Sequence, residues 1–326
     1  MKKFTGYEYL QIDLANQFGL DKEVWSERLS WVHQHEAELE GMEALADSPV
    51  LFRKAVRAYR KAQKDEPIRH VVGLDATASG LQCLAVLTGC LETAKCNNLT
   101  DTGNREDVYR DVATEMSKEL GQEVSRTVVK KPIMTHYYQS TATPKRMLGE
   151  DSPELKAFYK ALNSKMPGAE MFLGQVKKFW NPKTKYYQWT MPDGHVVKFP
   201  VLAVEKKRIE VDEMDHFKFN YQTTVVKQQE KGRSLAANIV HSVDAYICRK
   251  MVRMAHEQGF QLLPVHDCYY AHPNYLNQVR ENYINIMASI AESHLLEFIL
   301  EQLGHKIILN KNNISAEVLH AEYPLS

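Results

Sequence analysis

The segment Leu262 to His272, LLPVHDCYYAH, sets two apolar runs around His266 and Asp267. Taken alone it is a strand, a turn containing Asp, and a second strand. A buried, unpaired carboxylate is costly, so Asp267 must face solvent, pair with a cation or hold one. A second stretch bears on that choice. RHVVGLDATASGLQCLAVLTGC, Arg69 to Cys90, reads as an apolar strand ending near Asp75, a small-residue turn, and a buried helix from about Gly80. If the two strands are neighbours, Asp75 and Asp267 meet at one sheet edge.

Two convergent carboxylates suit two-metal phosphoryl transfer, in which divalent ions roughly 4 Å apart are bridged by hard oxygen ligands. The segment Ser125 to Gly149, SRTVVKKPIMTHYYQSTATPKRMLG, supplies the opposite charge. On a helix, Arg126, Lys130 and Tyr138 fall within a broad arc of one face, beside Lys131. Cations there neutralise a triphosphate, and a ring there stacks on or screens a nucleotide. Pro132 either kinks that helix or begins it. In isolation, Tyr138 reads as a core aromatic, His241 as a satisfied helix histidine, and the basic cluster as a solvated face; His136 and Tyr137 have no evident role.

The 326 residues are 44% hydrophobic and carry 41 basic and 41 acidic side chains, enough for a large core and without a general polyanion-binding charge. No apolar run reaches membrane-spanning length, and the start MKKFTGYEYLQIDLA lacks the apolar stretch of a secretory signal; a cytosolic protein without a membrane partner is expected. The five cysteines show neither CxxC nor zinc spacing and read as reduced packing residues, with Cys83 and Cys90 at helical spacing. Asn104 is the expected cap of an amphipathic helix with Val108, Val112 and Met116 inward. Alternation between Trp180 and Gln228 predicts β-hairpins, with Pro192-Asp193-Gly194 as a turn, and a long helix ends at Gly259. The fold class is mixed α/β (α+β) and helix-rich.

LDATASGLQ resembles motif A, RTVVKKPIMTHYY motif B and VHDCYY motif C of the single-subunit, bacteriophage-type DNA-dependent RNA polymerases, in the family's order. NIVHSVDAYI is similar to the segment between motifs B and C, and YLQIDLANQFGLDKEVWSERLSWV to the stretch before motif A. The resemblance implies the palm and fingers of a right-hand polymerase: a helical lead-in (1–70), palm with motif A (71–103), fingers with motif B (104–180), a hairpin region including a specificity-loop-like hairpin at about 206–231 (181–235), and palm with motif C and C-terminal helices (236–326). It also implies two Mg2+ ions on Asp75, Asp267 and the Ala76 carbonyl, with His266 supporting Asp267. Arg126, Lys130 and Lys131 would contact the nucleotide, Lys130 would protonate the leaving pyrophosphate, and Tyr138 and His241 would examine the sugar.

Motif A has Ala76 and Thr77 where the family usually has Gly and Ser, and motif B has Gln139 where Gly is usual. The family's N-terminal domain, most of its thumb and its Gly-Arg palm motif are not found; the Gly232-Arg233 pair lies beyond the hairpin, in the wrong order. The chain therefore resembles the larger, catalytic subunit of the two-subunit RNA polymerases of Enquatrovirus-type phages. A second subunit would supply the missing parts, the partners would be DNA template, nascent RNA and ribonucleoside triphosphates, and the setting would be the cytoplasm of the infected bacterial host. The alternatives are a related template-directed DNA polymerase, disfavoured by ATASGLQ after Asp75, and a non-catalytic nucleic-acid-binding scaffold, disfavoured by intact carboxylates and cations.

Overall fold

A computed structural model describes residues 1–181, 184–201, 203–225, 234–306 and 311–326. The lead-in forms α1 (Gly6–Ala15), α2 (Trp25–His35) and α3 (Pro49–Ala62). A capping box opens α1: the Glu8 amide donates to Thr5 Oγ1 at 3.2 Å and the Thr5 amide to Glu8 Oε2 at 2.7 Å. Then come β1 (Val72–Asp75), α4 (Ser79–Thr88), α5 (Leu91–Cys96), α6 (Val108–Leu120), α7 (Arg126–Tyr137), α8 (Ala142–Leu148), α9 (Pro153–Lys165) and α10 (Pro167–Val176). Two hairpins follow, β2 (Tyr186–Thr190) with β3 (Val196–Pro200) and β4 (Ala203–Val211) with β5 (Phe217–Val225). The chain continues through α11 (Ser234–Glu257), β6 (Leu262–Val265), β7 (Cys268–Ala271), α12 (Leu276–Glu292), α13 (Leu295–Gln302) and α14 (Ser315–Leu319).

The small sheet that positions the carboxylates has the order β1-β7-β6, all antiparallel. Val265 pairs with Cys268, so His266 and Asp267 form a two-residue hairpin turn, with His266 at φ 56° in the left-handed region. On the other edge Asp75 pairs with Cys268 and Gly73 with Tyr270, whose ring lies where a Cβ at residue 73 would stand. Glycine at 73 therefore lets the ring cover the sheet.

Behind the turn after β1, α4 is buried on every side from Leu81 to Thr88, as its continuous apolar run requires. Its one long polar side chain is fully bonded. Gln82 Nε2 reaches the carbonyls of Asn97 (2.9 Å) and Pro324 (3.1 Å) and Thr77 Oγ1 (3.0 Å), while its Oε1 accepts from Tyr283 OH at 2.7 Å. The C-terminal segment closes the arrangement. Ala76 bridges Leu325, the Ser326 amide donates to the Asp75 carbonyl at 2.9 Å, and fully buried Arg280 holds Glu322 through a 2.8 Å ion pair.

Several expectations are corrected. Asp107, not Asn104, caps α6, because its Oδ1 accepts from the amides of Tyr109 (3.0 Å) and Arg110 (3.3 Å). Pro132 neither begins a helix nor ends one. It lies inside α7, where it has no amide to donate to the Val128 carbonyl. Cys90 is outside α4, because Gly89 ends that helix at φ 66°. All five cysteines are free, and among the described residues no helix is long and apolar enough to cross a membrane. The expected β-hairpins are present, but residues 226–231 of the longer one and the Gly232-Arg233 pair lie outside the described residues.

Gln82→Leu keeps volume but strands Tyr283 OH in the core and leaves the Asn97 and Pro324 carbonyls only their bonds from Thr77; each lost bond to a buried polar group costs about 1–3 kcal/mol. Urea denaturation is expected to show a loss of about 3 kcal/mol with an unchanged m-value.

Candidate active site

Asp75 and Asp267 face a common cavity of about 290 Å³ that is also lined by Asp21, Ala76, Arg105, Asp107, Tyr109, Arg126 and Lys130. Backbone geometry forces the meeting: the Ala76 amide donates to the Asp267 carbonyl at 3.1 Å, continuing the β1–β7 ladder into both turns. Burial first, then the Asp267 charge, pushes the Asp75 carboxyl up to about 6. Sequence reading missed Asp244 on α11. It feels the same charge, accepts a hydrogen bond from the Ser79 side chain, and is likewise raised to about 6 by burial and then Asp267. Its signal was present in HSVDAY, where it falls one helical turn after His241.

The donor set around Asp75, Asp267 and the Ala76 carbonyl consists of hard oxygens and fits a divalent cation such as Mg2+. The carboxylates are held together despite their repulsion, as a charge-balancing cation requires. Elsewhere among the described residues, Glu210, Asp212 and His216 bring ligand atoms within 4.8 Å of one another at the exposed tip of the β4–β5 hairpin. Lys218 takes one Glu210 oxygen there at 3.0 Å. The hairpin tip is therefore a solvated ion-pair cluster.

The cations come from α7. Arg126 and Lys130, one turn apart, line the cavity and lie over the Tyr109 ring at 5.1 and 6.0 Å from its centroid. Arg126 Nε is aimed by Asp107 Oδ2 at 2.5 Å, so the α6 cap also orients a cation on α7. Lys131 is exposed and is not brought into the cavity, because one residue of helix rotates it away from Lys130.

Tyr138 follows the end of α7 and lines an adjoining apolar pocket of about 130 Å³ with Tyr137, Ile133, Val240 and Asp267. It is 49% exposed, so the core reading fails. Its ring lies 5.2 Å from that of His241, tilted by 48°. The next residue, Gln139, has φ 59°. The backbone keeps the left-handed turn that glycine adopts freely, at a cost to Gln of about 1–2 kcal/mol. His136 is held by Glu170 at 2.8 Å and Tyr137 packs inward on Met166, which accounts for both. His266 is exposed and makes no hydrogen bond to Asp267 among the described residues; the carboxylate it faces electrostatically is Asp244.

Helix α11 is fixed from its other side. Trp189 Nε1 donates to Ser242 Oγ at 3.2 Å, and Arg249 grips Asp193 in a bidentate pair at 2.5 and 3.1 Å. The β2–β3 hairpin thereby sets the register of His241 and Asp244 beside the cavity.

The sequence matches the family model described as DNA-dependent RNA polymerase over residues 3–148 and 156–323. It is 22% identical over 377 residues to the mitochondrial DNA-directed RNA polymerase of Schizosaccharomyces pombe, covering 95% of this chain and 33% of that protein. A probable DNA-directed RNA polymerase of Neurospora crassa is 23% identical over 344 residues, covering 82% and 38%. The mitochondrial DNA-directed RNA polymerase of Mus musculus is 22% identical over 356 residues, covering 90% and 29%. The chain spans about a third of the length of these curated relatives.

Asp75 and Asp244 hold their protons more tightly folded than unfolded. With metal chelated, their ionisation therefore weakens the fold as pH rises from about 4 through about 6. Asp267→Asn removes the charge that both face. In EDTA near pH 7.5 the variant is expected to melt above wild type by about 2 °C or more, a gap that closes near pH 4.5, as thermal scans at the two pH values will read.

Proposed function

The chain belongs to the DNA-dependent RNA polymerase family, and on that premise we propose that it is the catalytic subunit of a phage-type polymerase that adds ribonucleotides to an RNA 3′ end on a DNA template. The observation that carries this reading is the pair Asp75 and Asp267 at one cavity faced by Arg126 and Lys130. Under this reading the β1-β7-β6 sheet with α4, α11 and α12 is the palm, and α6 to α10 are the fingers.

Asp75, Asp267 and the Ala76 carbonyl would hold two Mg2+ ions. Bound there, magnesium supplies charge stabilisation at the attacking and departing oxygens of an in-line displacement. Arg126, oriented by Asp107, and Lys130 on Tyr109 hold the triphosphate against the acidic floor, and the Lys130 ammonium gives a proton to the departing pyrophosphate. Tyr138 and His241 flank the sugar. A site that bonds the 2′-hydroxyl rejects the deoxy analogue by leaving polar groups unpaired.

A second polypeptide carrying the N-terminal domain, thumb and Gly-Arg motif completes the enzyme in this proposal, in the cytoplasm of an infected bacterium.

The test is extension of an RNA primer on a DNA template with magnesium, by the chain alone and with a candidate second subunit, using ribo- and deoxyribonucleotides. Ribonucleotide addition that requires the partner, and falls about a thousandfold or more in Asp267→Asn, is expected. Extension by the variant at the wild-type rate, or a preference for deoxyribonucleotides, would overturn the reading.

A further inference from the structure

Arg105 lies in the loop between α5 and α6, two residues before the Asp107 cap, and was not singled out by any motif. It lines the cavity shared by Asp75, Asp267, Arg126 and Lys130. Nε donates to Ser326 Oγ at 3.0 Å. Among the described residues the group makes no other hydrogen bond and no ion pair. Asp21 and Asp107 are near enough to be felt, but Asp107 is committed to Arg126, and Asp21 to Lys22 at 3.0 Å.

Arginine keeps its charge where lysine would give it up, so burial does not relieve an unmatched guanidinium by deprotonation. A mostly buried cation without a carboxylate partner is costly, and Arg105 also repels Arg126 across the same space. With Asp107 taken by Arg126, an entering anion is the group that matches the Arg105 charge in this cavity. The free Nη groups of Arg105 present the forked donors that match phosphate oxygens.

We propose that Arg105 is a third cationic contact to the polyphosphate of the incoming nucleotide, opposite the pair on α7; this rests on the polymerase reading above for the identity of the anion. The fixed Nε bond to Ser326 leaves the Nη edge to grip the phosphates. The C-terminal segment therefore aims Arg105 as Asp107 aims Arg126.

The probe is inorganic triphosphate with magnesium, titrated calorimetrically into the full chain as wild type, Arg105→Gln and Ser326→Ala. Arg105→Gln is expected to weaken binding by about tenfold to a hundredfold, the range for a hydrogen bond to a charged group, with a melting temperature no lower than wild type; Ser326→Ala should cost less. In primer extension the same variant should raise the ribonucleotide KM more than it lowers kcat. Should Arg105→Gln fail to fold, phenylglyoxal labelling of the wild type replaces it, and triphosphate should slow modification of the peptide containing Arg105. Equal affinity of variant and wild type, no binding by wild type, an equal loss in Ser326→Ala, or labelling unaffected by triphosphate overturns the proposal. Triphosphate binding through Arg105 without nucleotide addition sustains it while the polymerase reading fails. Nucleotide addition with an unaltered Arg105→Gln variant does the reverse.

Discussion

Asp75 and Asp267 are held together by the backbone rather than by any attraction between them. The β1–β7 register pairs Asp75 with Cys268, and the Ala76 amide binds the Asp267 carbonyl, so two like charges occupy one cavity because the ladder between their strands leaves no alternative. Burial, and after it this repulsion, raises the Asp75 carboxyl. The rest of the structure supplies the stability that tolerates it.

That support is concentrated in a few buried groups that each make several hydrogen bonds. Gln82 ties the helix after Asp75 to Thr77, Asn97, Tyr283 and the C-terminal segment. Arg280 donates to the carbonyls of Lys2 and Glu322 and so fastens that segment to the N-terminal residues. A buried amide bonded at both its nitrogen and its oxygen, as Gln82 is, specifies one geometry. A site meant to stabilise developing charge benefits from that rigidity, because its dipoles and charges are oriented before the substrate arrives.

The cationic wall is built differently, from side chains aimed by neighbours. Asp107 caps α6 and orients Arg126; Tyr109 lies beneath Arg126 and Lys130; Ser326 receives Arg105. An acidic floor and a basic wall in one cavity suit a ligand that is itself a polyanion carrying cations. The apolar pocket beneath Tyr138 adjoins this cavity through Asp267, Ala78, Tyr109 and Met134, so a flat apolar group and its phosphates would have adjacent places.

Much of this was legible in the residue order. The apolar runs ending at Asp75 and around Asp267, the helix-spaced Arg126 and Lys130, the hairpin alternation and the long helix carrying His241 are local patterns, and local patterns follow from side-chain periodicity alone. The motif order carried the family. What only the tertiary structure decided depends on partners distant in sequence: that Asp107 rather than Asn104 caps α6 while serving Arg126, that Lys131 turns away, that Tyr138 faces an open pocket, and that Asp244 joins the carboxylates. Arg105 is the clearest case. No periodicity marks a loop arginine, and its place beside Asp75 exists because the chain returns 221 residues later to set Ser326 against it. Short-range pattern determines which elements form; long-range packing determines which charges they leave facing one another.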